Sequence, residues 1–249
     1  MSLLRRFVLA LQFLTVITVW PRLRPQGRDL AGSMLYYPLV GLILGAGLCG
    51  ARWLFSFWPP VVVDALLVVL MVLFSRGLHL EGLADAADGL GGGRGREKAL
   101  EIMKDPAAGP FGVMAVGLVL LVKFAALMAI PAGLKYQALL LMPLAGRLSM
   151  IVLCQVSPSA RSGEGLAGPF LADMKAGEVI AAGLFALATG VFLLGSVGGL
   201  IVFGATGLAL LARFYFIRRL GGISGDTIGA VGELTEVGVL LALAATMTG

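Results

Sequence analysis

The sequence predicts an all-α polytopic membrane protein, with residues 1–249 forming a single integral membrane domain. Hydrophobic residues make up 59% of the chain, charged residues only 13%, and mean hydropathy is +0.97. A soluble globular domain is about half apolar and about a quarter charged. This chain therefore has too few polar side chains to cover its surface in water. The composition excludes a soluble enzyme, a disordered protein and a disulfide scaffold.

The N-terminal segment is predicted to be a helix that lies in the membrane interface. Its apolar run covers residues 7–20, with Arg5 and Arg6 before it and Arg22 and Arg24 after it. No small-residue cleavage site follows, which argues against a signal peptide. Cations on both sides of a short apolar run favour an interfacial helix.

About seven transmembrane helices are predicted to follow. Each candidate is apolar over about the 20 residues that a helix needs to cross the hydrocarbon core. Gly198 and Gly199 are predicted to form the turn between the fifth and sixth helices. In chain order the candidates cover residues 34–51, 57–75, 110–132, 136–156, 179–197, 200–217 and 228–247.

The distribution of cations predicts a cytoplasmic N-terminus. With that orientation, fifteen of the 19 Lys and Arg residues fall on the cytoplasmic side, and only Arg52 and Lys135 fall on the other. Cytoplasmic loops carry such an excess. The predicted location is the cytoplasmic (inner) membrane, with the active site facing the cytoplasm. The net charge of +5 does not indicate nucleic-acid binding, because the cations do not interleave with aromatic residues. A homo-oligomer is left open.

The most polar segment, residues 76–109, is predicted to be a cytoplasmic loop that carries the active site. Glu81, Asp85 and Asp88 are spaced i, i+4 and i+7, which places them on one face of a helix. Such carboxylates repel one another unless a cation lies between them, and ligands that are all oxygen favour Mg²⁺, Mn²⁺ or Ca²⁺. Asp105 supplies a fourth carboxylate. The alternative is that the segment is only a solvated connector.

Glycines and cations after the acids indicate phosphate binding. Residues 91–93 and 95 are glycines, which allow the backbone to approach phosphate oxygens. Arg94, Arg96 and Lys104 supply positive charge that can pair with those oxygens. Carboxylates for a metal beside cations for phosphate indicate metal-assisted phosphoryl transfer.

Two basic residues inside predicted spans need an explanation. Arg147 is expected to pair with substrate, Glu233 or Glu236, or to extend towards the interface; pairing is favoured. Lys123 lies in no recognisable motif, and its side chain is predicted to extend towards the membrane interface.

His79, Asp226 and Glu233 are further candidates for substrate binding. His79 is the only histidine; a polar role at the end of the second span is favoured over a catalytic base. Asp226 and Glu233 are seven residues apart on one helical face. They either line a substrate pocket or serve helix packing, in which case Asp226 is the N-cap.

Five motifs in order along the chain resemble those of the cobalamin synthase family, the adenosylcobinamide-GDP ribazoletransferases. The resemblance covers essentially the whole chain, and its central motif is Gly-Leu-His-Leu-Glu-Gly-Leu-Ala-Asp-Ala-Ala-Asp-Gly over residues 77–89. The other four lie at residues 6–15, at 102–105 with Gly109 and Gly112, at 147–150 together with 157–161, and at 221–230 with Glu233. The family usually has Asp where this chain has Glu81, and often Ser where it has Pro106.

The resemblance implies that adenosylcobinamide-GDP reacts with α-ribazole, or its 5′-phosphate, giving adenosylcobalamin, or its phosphate, and GMP. It also implies Mg²⁺, expected on Glu81, Asp85, Asp88 and Asp105. Arg94, Arg96 and Lys104 would orient the diphosphate. Asp85, Asp88 and Asp105 are the candidate catalytic residues, and Asp88 or Asp105 would take the hydroxyl proton.

Two other functions are considered. A CDP-alcohol phosphotransferase of lipid synthesis would carry Ala-Arg after Asp-x-x-Asp-Gly-x-x, and residues 85–93 lack that ending. A transporter would place charges or broken helices near the membrane midplane, often in repeated halves. The acids here cluster towards one side instead.

Overall fold

The computed structural model describes residues 3–23, 27–93, 95–160 and 174–246, and helices dominate these residues. Two short 3₁₀ turns, Met34–Tyr36 and Ala132–Leu134, precede the third and eighth helices. The α-helices are α1 Leu3–Leu14, α2 Gly27–Ser33, α3 Tyr37–Leu54, α4 Pro60–Phe74, α5 Leu78–Gly92, α6 Arg96–Ile102, α7 Pro110–Ala129, α8 Lys135–Val156, α9 Ala176–Leu220 and α10 Gly225–Ala245.

The helices have the length and composition of a polytopic membrane protein, which confirms the predicted fold class. Among the described residues, five helical stretches are long and apolar enough to cross a membrane. A sixth is possible if α4 and α5, which meet at a bend of 86°, count as one broken span. Helix α8 lies at the centre, packed against α3, α9 and α10.

Helix α9 contains two of the predicted spans. Its 45 residues would extend about 68 Å if straight, more than twice the thickness of the hydrocarbon core. The helical geometry breaks at Leu194 and Gly195, where Gly195 has φ +57°. Gly190 and Gly198 are in backbone contact across this break, so the chain reverses there. The turn therefore lies slightly before the predicted Gly198-Gly199.

The predicted active-site loop at 76–109 is largely helical. Arg76 and Gly77 have φ +55° and +68°, and they turn the chain sharply from α4 into α5. Helix α5 then packs against α6, α7 and α10. Its Gly82 permits this contact, because a Cβ at that position would lie 2.9 Å from the carbonyl oxygen of Asp226. Interhelical packing of this kind is invisible in the hydropathy pattern that predicted a loop.

A buried ion network joins α7, α8 and α10. Lys123 Nζ lies 2.7 Å from Glu233 Oε2 and 2.5 Å from Glu236 Oε2, and Arg147 Nη1 pairs with Glu236 Oε1. The predicted pairing of Arg147 is thus confirmed, with Glu236 as its partner. The prediction that Lys123 extends to the interface is wrong, since this residue is only 2% exposed. Its partners lie on a helix distant in sequence, which composition cannot reveal.

A second ion cluster joins Asp64 to the two cations that were predicted to lie on the side away from the cytoplasm. Lys135 Nζ pairs with Asp64 Oδ2, and Arg52 Nη1 lies 3.7 Å from Asp64 Oδ1. The Arg52 guanidinium also lies over the Tyr136 ring, 5.7 Å from its centroid. The two cations assigned to the outer side therefore meet around one buried carboxylate.

Replacing Glu236 should destabilise the helix bundle. In Glu236→Gln, Arg147 loses its carboxylate partner while it stays buried, and removal of one member of a buried ion pair costs about 3 kcal/mol or more. Unfolding of the detergent-solubilised protein by heat or denaturant measures this loss. Glu101→Gln, which removes an exposed carboxylate, is the control and should leave stability near that of the parent chain. Equal stability of both variants would contradict a structural role for the network.

Candidate active site

A cavity of about 190 Å³ lies where α5 and the start of α10 meet α1, α3 and α8. One part of its wall is polar and carries three carboxylates and an imidazole. The other part is apolar and includes two aromatic rings and two methionines. Its lining residues are Phe13, Met34, Tyr37, Leu78, His79, Glu81, Gly82, Asp85, Met150, Cys154, Gly225, Asp226, Ile228 and Gly229.

The three carboxylates come from two helices. Glu81 and Asp85 are one turn apart on α5, so they project from the same face. Asp226 lies in the first turn of α10, opposite Gly82. The cavity thus has carboxylates on two neighbouring helices. In the sequence analysis, Asp226 was a candidate for substrate binding or helix packing, and not a metal ligand.

Asp226 is not the N-cap of α10, so that alternative in the sequence analysis is wrong. The N-cap is Ser224, whose Oγ accepts a hydrogen bond from the Thr227 backbone N–H at 3.4 Å. Ser224 Oγ in turn donates to Asp226 Oδ2 at 3.2 Å. This contact holds the Asp226 carboxylate beside the helix terminus, where the helix dipole favours negative charge.

Asp88 and Asp105 lie in other surroundings and do not line the cavity. Asp88 is 7% exposed; its Oδ2 accepts from the Gly109 backbone N–H and its Oδ1 from that of Gly112, each at 2.8 Å. It therefore caps the N-terminus of α7 from α5. The exposed Asp105 accepts from the Ala107 backbone N–H at 2.9 Å. The predicted cluster of four carboxylates is thus divided, and metal binding by Asp88 and Asp105 stays a prediction.

Arg96 and Lys104, two of the three predicted phosphate-binding cations, are not among the residues that line the cavity. Arg94 lies outside the described residues. Arg96 Nη2 donates to the Ala160 carbonyl oxygen at 3.0 Å, and Lys104 is exposed after α6. Gly93 brings α6 close to α5, since a Cβ there would lie 2.7 Å from Ala99 Cα. Phosphate binding by these residues stays a prediction.

Three further predicted site residues lie at or behind the polar wall. His79 is 2% exposed and lines the cavity, and its Nδ1 lies 3.2 Å from Arg147 Nη2. Arg147 and Glu233 belong to the buried ion network and not to the wall. Arg147 is connected to the cavity wall by its contact with His79.

The apolar wall was not predicted. Phe13 and Met150 lie within two of the motifs that carried the family resemblance, so position in a motif was the available signal. Tyr37 and Cys154 lie in ordinary apolar stretches. Nothing in the sequence distinguishes them from the side chains that pack helices.

The carboxylates fit a Mg²⁺ ion that a substrate helps to hold. Within the described ranges, no three His, Cys, Asp or Glu side chains are close enough together to form a metal site by themselves. Mg²⁺ is usually bound by one or two carboxylates, with substrate phosphates and water completing six oxygen ligands. Glu81, Asp85 and Asp226 offer oxygen ligands of that kind in one cavity.

Comparisons with known proteins assign the chain to a family. The family model described as cobalamin-5-phosphate synthase matches residues 6–244. The adenosylcobinamide-GDP ribazoletransferase of Geotalea daltonii is 40% identical over 244 residues, covering 98% of each chain. Those of Pseudomonas fluorescens and Pseudomonas putida are 46% and 45% identical, each covering 96% of this chain and 98% of the relative. No solved structure matches. The chain therefore belongs to the cobalamin-5-phosphate synthase family, and it is a transferase of cobalamin synthesis.

Proposed function

We propose that this chain joins adenosylcobinamide-GDP to α-ribazole, or to its 5′-phosphate, in the cavity between α5 and α10. The products are adenosylcobalamin, or its phosphate, and GMP. The observation that carries the proposal is the cavity itself, which is lined by three carboxylate residues and by apolar side chains from other helices. The names of relatives that match nearly the whole chain support the choice of substrates.

The two walls suit the two kinds of substrate surface. α-Ribazole carries a flat aromatic base, which Tyr37, Phe13 and Met34 can contact in place of water. The diphosphate is polar and needs charge compensation, which the carboxylate wall can supply only together with a cation. The proposal therefore places the base against the apolar wall and the diphosphate near Asp85 and Asp226.

The reaction is a displacement at phosphorus. The ribazole hydroxyl oxygen forms a bond to the phosphorus that bears the cobinamide ester. The bond from this phosphorus to the bridging oxygen breaks, and GMP leaves with that oxygen. The hydroxyl proton passes to a carboxylate oxygen of Glu81, which lines the cavity one turn before Asp85. Asp88 is less suited as the proton acceptor, because both its oxygens already accept backbone N–H groups.

Mg²⁺ is the proposed cofactor, with Asp85 and Asp226 as its protein ligands. When bound, it would neutralise the charge that develops on the phosphoryl oxygens. Asp85 is half-buried and Asp226 is held by Ser224, so both carboxylates have restricted positions.

We also propose that the chain lies in the inner membrane with this cavity towards the cytoplasm. The excess of cations on one side supports that orientation. The cluster of Asp64, Arg52 and Lys135 would then mark the opposite end of the bundle.

Asp85→Asn should lower GMP release from adenosylcobinamide-GDP and α-ribazole by roughly 100-fold or more, since the metal contributes several kcal/mol to such reactions. The amide keeps the shape of the side chain, so the unfolding midpoint should change little. Glu101→Gln, an exposed substitution on α6, is the matched control and should keep parental turnover. Full turnover in folded Asp85→Asn would reject the proposed site. Turnover with a CDP-linked lipid and an alcohol instead would favour the lipid enzyme.

Asp88→Asn should act mainly on stability. One of its two hydrogen bonds to the start of α7 is lost together with the negative charge, which costs about 1–2 kcal/mol. The unfolding midpoint of the detergent-solubilised variant measures this effect. A variant of parental stability with the turnover loss expected for Asp85→Asn would show that Asp88 serves the chemistry instead.

A chelator should abolish GMP release by the parent chain, and added Mg²⁺ should restore it, because the carboxylate wall cannot hold a diphosphate unaided. The measurement compares EDTA with EDTA already saturated by Mg²⁺. Undiminished turnover in EDTA would contradict metal dependence.

A further inference from the structure

His79 is the only histidine of the chain, and it stands between the cavity and the buried ion network. The residue is 2% exposed near the start of α5, two positions before Glu81. One ring nitrogen, Nδ1, lies 3.2 Å from Arg147 Nη2. The other, Nε2, is buried without a hydrogen-bond partner among the described residues.

The contact with Arg147 determines which ring nitrogen carries the proton. A guanidinium has donors and no acceptor, so Nδ1 must accept the hydrogen bond through its lone pair. A neutral imidazole that accepts at Nδ1 carries its proton at Nε2. In an Nδ1–H tautomer or an imidazolium, the Nδ1–H group of His79 would point at an N–H group of Arg147, and two donors would face each other.

Arg147 is not free to release His79. Its Nη1 pairs with Glu236, which also binds Lys123, and all three side chains are buried. Moving the guanidinium would leave a buried carboxylate with one partner fewer, which is strongly unfavourable. The ion network therefore fixes the position of Arg147, and Arg147 in turn fixes the orientation of the His79 ring.

The Nε2–H group is a buried donor with an unmet need for an acceptor. A buried donor that finds no acceptor lowers the stability of the folded chain until a ligand supplies one. The carboxylates of the cavity wall are acceptors only, so a phosphate oxygen beside them gains from any N–H group the wall can offer. His79 is the one residue of that wall with a side-chain N–H.

We propose that His79 positions the diphosphate substrate by donating from Nε2 to a phosphoryl oxygen, and that Arg147 and Glu236 fix the ring in the tautomer that can do so. His79 is then a donor and not the proton acceptor of the reaction. The identity of the ligand rests on the proposed function, whereas the tautomer does not.

Nitrogen NMR of the full-length protein, labelled with ¹⁵N-histidine and kept in detergent, tests the tautomer directly. A single histidine gives a single ring, and protonated and bare ring nitrogens resonate far apart. The expected spectrum shows Nε2 protonated and Nδ1 bare. Addition of Mg²⁺ and adenosylcobinamide-GDP should shift the Nε2 resonance more than the Nδ1 resonance. A ring protonated at Nδ1, or an Nε2 resonance that substrate leaves unchanged, would overturn the proposal.

Two variants separate donation from a merely structural role. The amide nitrogen of His79→Gln can take the position of Nε2, whereas the shorter side chain of His79→Asn reaches only the position of Nδ1. Loss of a hydrogen bond to a charged group should reduce GMP release by roughly 10- to 100-fold in His79→Asn. His79→Gln should recover most of the parental rate.

The unfolding midpoint of each variant is measured first, and rates are compared only between variants whose midpoints match that of the parent chain. Turnover is then separated into kcat and KM for adenosylcobinamide-GDP. A folded Gln variant as inactive as the Asn variant, or an Asn variant as active as the parent, would overturn the proposal. If the parent chain itself releases no GMP, the proposed function fails, and the NMR spectrum still decides the tautomer.

Discussion

Buried charges in this bundle are paired across helices, and these pairs constrain how the helices pack. Inside a membrane an ionised side chain needs a partner, and Lys123, Glu233, Glu236 and Arg147 meet that need by joining α7, α8 and α10. Arg147 extends the network to His79 on α5. Helices that lack a strong hydrophobic drive to associate within lipid are thus held in one arrangement by a few specific contacts.

The candidate site depends on this arrangement. Helix α5 carries Glu81 and Asp85, and its close contact at Gly82 brings them to the start of α10, where Ser224 holds Asp226. On its other side α5 uses Asp88 to cap α7. Acids that look equivalent along one stretch of sequence therefore have different tasks: two face the cavity and one stabilises a helix terminus.

The sequence was sufficient for the fold class and for part of the site. Hydropathy predicted helices α3, α7, α8 and α10 and the two arms of α9, because each must match the hydrocarbon thickness. The i, i+4 spacing correctly placed Glu81 and Asp85 together. It could not show that Asp88, on the same acidic stretch, turns towards α7. It also could not show that Lys123 meets Glu233 from a helix 110 residues away. Contacts between distant segments depend on packing, which a linear pattern does not encode.

The most direct measurement is an experimental map of the full chain with Mg²⁺ and adenosylcobinamide-GDP bound. The account predicts density for the diphosphate between α5 and α10, bridged by metal to Asp85 and Asp226 and within hydrogen-bonding distance of His79 Nε2. A diphosphate bound instead beside Asp105 and Arg96, with the cavity between α5 and α10 filled by side chains or lipid, would contradict it.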